Sequence, residues 1–165
     1  MAMFLSTYVN GVDKKGRVSI PASFRPALAR GAGASASGPS TVFVWPSMNH
    51  QALEGADAGY MEVLSDSLES PDLDPEERDY IETFVFGKAV ELTLDPEGRV
   101  VLPRHLAEFA NVSDQAAFIG RRKTFQIWEP SALEAHEATL RGVAAGKGIS
   151  LSGVVAKAAR GKGGA

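Results

Sequence analysis

The sequence predicts an α+β fold: two similar halves interlocked into one pseudo-twofold β-barrel, with helical inserts. Three observations predict it. A short stretch occurs twice, VDKKGRVSIPASF at residues 12–24 and LDPEGRVVLPRHL at residues 94–106. At one constant offset the copies match at Asp13/Asp95, Gly16/Gly98, Arg17/Arg99, Val18/Val100, Ile20/Leu102 and Pro21/Pro103. Alternating apolar residues flank each copy, the period of a half-buried strand. Finally, 165 residues make one domain, or two very small ones that must share a core. Neither half alone could bury enough apolar surface, so each must cover the strands of the other.

The elements follow in order. Residues 4–12 read as a strand, with apolar Phe4, Leu5, Tyr8, Val9 and Val12. Asp13-Lys14-Lys15-Gly16 is turn chemistry: Asp bonds the backbone two residues on, and Gly accepts positive φ. Val18 and Ile20 then share one face, so the first copy predicts a hairpin that Pro21 ends. Pro21 also offers the first position of a short helix through Leu28, which Pro26 would limit. Residues 31–40 are rich in Gly, Ala and Ser and read as a loose loop. TVFVW at residues 41–45 is a strand, and Ser47 predicts the cap of a short helix over residues 48–53.

Tyr60, Met61, Leu64 and Leu68 give helical spacing through the acidic middle. Asp74-Pro75-Glu76-Glu77 restarts a helix as N-cap, first-position Pro and capping Glu, with Tyr80, Ile81, Phe84 and Val85 on its apolar face. The pattern of the first half then returns. Val90, Leu92 and Leu94 lead into the second turn, a short helix carries Leu106 and Phe109, and strands at residues 117–120 and 124–128 flank the basic turn Arg121-Arg122-Lys123. Ser131 with Glu134 predicts the capping box of a last helix. The expected organisation is a first repeat at 3–47, an acidic helical insert at 48–84, a second repeat at 85–131, a helix at 132–145 and a flexible tail at 146–165.

Composition narrows the function classes. No apolar run approaches the roughly 20 residues of a membrane span. The N-terminus lacks a basic start followed by a long apolar run, and there are no cysteines. A cytoplasmic protein without membrane partner is the default expectation. Net charge is −3 but unevenly spread. Residues 1–47 hold five basic residues and one acidic, residues 48–83 one basic and eleven acidic, and residues 132–165 five basic and two acidic. The first turn therefore lies in a basic block able to attract phosphate despite the negative total.

Catalysis has little support. His50, His105 and His136 are far apart in sequence, and none sits at metal-ligand spacing with another. Asp13 and Asp95 could pair as carboxylates do in some hydrolases, but each opens a Gly-containing turn with an Arg four residues on. The Gly31–Gly38 run lacks the Gly-Lys-Ser/Thr ending of a phosphate loop. No enzyme, cofactor, metal or small-molecule substrate is expected.

Nucleic acid fits better. Lys14, Lys15 and Arg17 crowd one turn, with Arg25 just beyond, and Arg99 repeats Arg17 in the second copy. Arg suits bidentate contact with phosphate or guanine edges, and a two-stranded ribbon can enter the major groove. Each Arg could equally pair with the Asp of its own turn, and both roles can coexist. The second copy has Pro96-Glu97 where the first has two lysines, so the first is the expected main contact edge.

The paired Asp-x-x-Gly-Arg motifs, the following Val-x-Ile/Leu-Pro, the Phe near the start, and the Trp-Pro and Trp-Glu-Pro strand ends resemble the MraZ family. The likeness runs from Met3 to about Leu140 and departs from the family pattern at Leu5-Ser6 and Pro96-Glu97. The resemblance implies two SpoVT/AbrB-like swapped-hairpin repeats and a ring-like homo-oligomer. It implies binding to short direct repeats of double-stranded DNA upstream of the operon for division and cell-wall synthesis, its own gene included, in the cytoplasm at the nucleoid. The family's Asp-x-x-x-Arg contact motif falls on Asp13 to Arg17 and on Asp95 to Arg99. The rival expectation is a ring-forming scaffold without specific DNA binding. A single-repeat antitoxin fits less well, because the repeat is doubled and the tail is short.

Overall fold

The structure is a computed structural model that describes residues 3–31 and 38–163. Most of the expected 31–40 loop lies outside the described residues. The chain divides into two compact units, residues 1–130 and 131–165.

Among the described residues the first unit holds eight strands. β1 (Thr7–Gly11), β2 (Arg17–Ser19), β3 (Thr41–Pro46) and β4 (Leu53–Ala56) come from the first half. β5 (Val90–Thr93), β6 (Arg99–Val101), β7 (Gln115–Gly120) and β8 (Phe125–Trp128) come from the second. One six-stranded sheet runs β1-β7-β8-β4-β3-β5, and β2 and β6 form a separate two-stranded ribbon. All the pairings are antiparallel, and those of β1 with β7, β2 with β6, β3 with β5 and β4 with β8 cross between the halves. Exchanging the halves maps this set onto itself, so the twofold character of the sequence extends to the strand pairing.

Two local expectations need correction. The hairpin at the first turn is confined to one bridge, Val12 to Val18, because β2 is drawn onto β6 instead. Residues 48–53 are not a helix. The Ser47 hydroxyl does accept from the backbone of Asn49 and His50 at 3.2 Å, but the Ser47 amide donates to the Ala52 carbonyl at 2.9 Å. That closes a loop, and the chain returns as β4, where Gly55 lets the Phe125 ring lie against the strand. Helix α1 (Arg25–Gly31) also begins later than Pro21, which opens only a turn. Pro26 falls in its first turn, where a missing N–H costs nothing.

The main core joins both halves. Phe24 is fully buried, and its ring centroid lies 5.2 Å from Phe4, 5.8 Å from Tyr8, 5.2 Å from Phe125 and 6.5 Å from Phe118. Val18, Ile20, Val100 and Leu102 of the ribbon close the same core. A second cluster of Trp45, Ala56, Met61 and Val85 carries the acidic insert. That insert is α2 (Ala58–Ser67) and α3 (Pro75–Ile81), the latter continued by a π-helical turn (Glu82–Phe86). The expected cap is present: the Glu77 carboxylate accepts from the Asp74 amide at 3.1 Å. Helix α4 (Arg104–Phe109) follows the second turn.

The second unit is helical: most of α5 (Pro130–Lys147), then α6 (Leu151–Gly163). Residues 151–163 are thus a helix within the stretch, 146–165, that composition predicts as a flexible tail. Gly148, at φ 64°, ends α5, with the Ile149 amide donating to the Ala144 carbonyl at 3.1 Å. Ser150 then caps α6 by accepting from the Gly153 amide at 3.1 Å.

Candidate nucleic-acid interface

The two turns are built alike. The Asp13 amide donates to the Arg17 carbonyl at 3.0 Å and the Gly16 amide to the Asp13 carbonyl at 3.0 Å. In the second copy the Asp95 amide donates to Arg99 at 2.8 Å and the Gly98 amide to Asp95 at 2.9 Å. Gly16 and Gly98 both sit at φ 81°, a conformation that any Cβ would strain. Each Asp carboxylate is an acceptor hub. Oδ1 of Asp13 takes the amides of Lys15 and Arg17, and Oδ1 of Asp95 takes those of Glu97 and Arg99, all at 2.9 Å.

The ribbon joins the turns. The Ile20 amide donates to Gly98 at 3.0 Å, and the Leu102 amide to Gly16 at 2.8 Å, so each glycine carbonyl anchors the other copy. Register pairs Arg17 with Val101, Val18 with Val100 and Ser19 with Arg99. Paired residues of an antiparallel ribbon share a face. Val18 and Val100 are buried, so Arg17, Ser19, Arg99 and Val101 lie on the outer face. The two arginines are then offset by two residues, roughly 7 Å along the strand direction.

Their side chains differ in what they leave open. The Arg17 Nε donates to Asp13 Oδ2 at 2.6 Å, and among the described residues its terminal nitrogens meet no partner. The Arg99 Nε donates to Asp95 Oδ2 at 3.0 Å, and its Nη2 is also engaged by Glu97 at 2.5 Å. Lys14 and Lys15 are exposed at the crest of the first turn. The Asp–Arg ion pair read as one alternative from the sequence is therefore present in both turns. It engages only Nε, which leaves recognition by Arg17 open.

Arg25 lies at the second turn although it belongs to the first half. Its Nε donates to the Ile20 carbonyl at 3.2 Å, and its guanidinium covers Gly98 so closely that a Cβ there would come within 2.3 to 2.7 Å of it. Arg25, Pro39, Ser40, Asp95 and Pro96 line a cleft of about 430 Å³ beside it. A cation from α1 thus lies beside the turn that carries Pro96 and Glu97. The Gly98→Ala variant is expected to lose stability by about 1–2 kcal/mol from the left-handed backbone alone. Adding Arg25→Ala should relieve only the steric part, which a double-variant cycle in urea would separate.

Electrostatics reinforces the turns. The Asp13 carboxyl is held below the usual carboxylate range, first by the Arg17 amide and then by the Arg17 guanidinium. Asp95 is lowered in the same way, led by the Arg99 amide. The hydrogen bond to Asp95 raises Arg99, with Glu97 and, least of all, Asp13 adding to it. A carboxylate whose folded pKa is depressed stabilises fully above its unfolded value and loses that contribution as pH falls through the folded one. Asp13→Asn is therefore expected to lower the urea midpoint by a constant amount at neutral pH. The gap from the parent chain should shrink below about pH 4, as parallel titrations at pH 7 and pH 3 would show.

Other sequence candidates scatter. Arg121, Arg122 and Lys123 form an exposed turn between β7 and β8, tied down by reciprocal backbone bonds between Phe4 and Arg122. Asp13 and Asp95 each bind their own arginine rather than each other. Among the described residues, no three His, Cys, Asp or Glu side chains gather into a metal site, and no helix is long and apolar enough to cross a membrane.

A family profile described as "MraZ protein, putative antitoxin-like" matches residues 85–143. The "Transcriptional regulator MraZ" of Rickettsia akari (strain Hartford) is 41% identical over 136 residues, 82% of this chain and 87% of that protein. The chain belongs to the MraZ family. The MraZ regulators of Rickettsia canadensis (strain McKiel) and Rickettsia felis (strain ATCC VR-1525 / URRWXCal2) are 38% and 39% identical over 151 residues, 92% of this chain and 97% of each relative. The MraZ profile itself covers the second turn, Asp95 to Arg99, whereas the longer matches reach well into the first half.

Proposed function

We propose that this chain is a sequence-specific DNA-binding transcriptional regulator whose main contact edge is the first turn. One observation carries this reading. Asp13 holds Arg17 through Nε and leaves its terminal nitrogens open on the outer face of a two-stranded ribbon, beside exposed Lys14 and Lys15. A fixed guanidinium fork on a ribbon suits base edges in the major groove, and the lysines suit phosphate. The names of the relatives, transcriptional regulators, support the same class. Arg17, Lys14 and Lys15 are assigned to DNA, Arg25 and Arg99 to a weaker second contact, and Asp13, Gly16, Asp95 and Gly98 to shaping the turns.

The finer reading follows from the family. The crossed strand pairing supports a swapped-hairpin barrel of two AbrB-like repeats, at 3–47 and 85–131, with the acidic insert at 48–84. The protein would act in the cytoplasm at the nucleoid as a ring-like homo-oligomer. Its target would be short direct repeats upstream of the division and cell-wall operon, its own gene included. One ribbon touches few base pairs, so a ring engaging several repeats at once would gain its specificity from avidity.

The test is a titration of its own upstream duplex against an unrelated duplex of equal length, at several salt concentrations. The specific duplex should bind more tightly, with a steep salt dependence. Lys14→Ala and Lys15→Ala should each flatten the log–log salt slope by about 0.9 while weakening both duplexes alike. Equal affinity for the two duplexes would overturn sequence-specific binding.

A further inference from the structure

Helix α6 presents an apolar stripe with the pattern of a docking helix. It buries no residue, and Leu151 and Val155 are 88% and 68% exposed. Leu151, Val154, Val155 and Ala158 recur at the spacing of one helical stripe, the pattern by which a helix is read in a groove. Its charged residues, Lys157, Arg160 and Lys162, are all basic.

The complementary surface is on the acidic insert. Leu64, Leu68, Leu73, Tyr80 and Ile81 line an apolar groove of about 550 Å³ between α2 and α3, rimmed by Glu76 and Glu77. Residues 58–82 hold nine acidic residues and one basic. That one, Arg78, is turned inward: its Nε donates to the Leu68 carbonyl at 2.7 Å and its Nη2 to Ser70 at 3.2 Å. It fixes the corner between the helices and leaves the rim to the acids. The α6 stripe spans about 10 Å, the length of α3.

We propose that the apolar stripe of α6 from one copy docks in the acidic-rimmed α2–α3 groove of a second copy, as a strap between neighbours. This rests on the self-association put forward above and names the surfaces that serve it. Lys157 flanks the stripe and meets the acidic rim. Binding is strongest at low salt, because the rim pairs are exposed.

The chain has no cysteine, so introduced thiols report contact without background. Full-length Val155→Cys and Tyr80→Cys chains, carrying tags of different size, are mixed under mild oxidation. The mixed disulfide should exceed either homodimer severalfold. Lys157→Glu should reduce it, and pairing Lys157→Glu on one chain with Glu76→Lys on the other should restore it. Sedimentation of the parent chain at its monomer mass of 17.4 kDa would overturn self-association and this docking together. An oligomer that yields no excess of mixed disulfide would overturn the docking alone. So would a disulfide closing within single chains that carry both thiols, or a Lys157→Glu chain that loses DNA affinity with its assembly intact.

Discussion

Arg17→Ala is expected to weaken binding to the upstream duplex by at least about ten- to a hundredfold, the worth of one bidentate base contact. The loss should be amplified wherever several copies bind together. Two effects add. The fork that faces outward is removed, and the Asp13 carboxylate, no longer paired with it, is left on the surface proposed to meet phosphate. Arg17→Lys should rescue poorly. One ammonium cannot both hold Asp13 and present a planar pair of donors, whereas the guanidinium does one through Nε and offers the other through its terminal nitrogens. Arg99→Ala should cost less, because Glu97 already occupies Nη2 of Arg99. Fluorescence anisotropy on the three variants would rank them.

Phe24→Ala is expected to cost about 3–5 kcal/mol of stability, as for a fully buried aromatic ring. Its ring touches Phe4 and Tyr8 of the first half and Phe118 and Phe125 of the second. Removing it opens a cavity where the halves meet, so both should unfold in one shifted transition rather than in two. Phe109→Ala offers the contrast, since Phe109 is 39% exposed and lies outside that cluster. Its partly exposed ring has less apolar surface to lose, so the cost should be clearly smaller than that of Phe24→Ala. Urea melts followed by tryptophan fluorescence and by circular dichroism would compare the two variants.

Local chemistry was legible in the sequence, and remote pairing was not. Asp, Gly and Arg at fixed offsets announced both turns and offered the ion pair as one alternative, because the bonds that close each turn on its own Asp are made within five residues. Asp74-Pro75 announced α3 for the same reason. The alternation of Val18 and Ile20 announced a strand but carried no information on its partner, so β2 reads as the return of a hairpin until β6 is seen beside it. β4 escaped notice because Leu-Glu-Gly-Ala lacks β-formers, and its place comes from packing against Phe125. Helix α6 was missed despite a signal: Gly148 and Ser150 are a helix stop and a helix cap set side by side. Arg25 was singled out for charge alone. Its position over Gly98 depends on the crossing of the halves, which no local reading gives. The difference between Arg17 and Arg99 was half legible. Glu97 stood out as an acid in place of a lysine, and the structure adds that it binds Arg99.

Sequence-specific reading of DNA by the first turn is open to a direct test. Hydroxyl-radical footprinting of its own upstream region, with the full chain and with Arg17→Ala at matched concentrations, tests it most directly. Regularly spaced protected boxes are expected with the parent chain, and their loss with Arg17→Ala at concentrations where Arg99→Ala still protects. Protection by Arg17→Ala equal to that of the parent chain, or uniform protection without boxes, would contradict it.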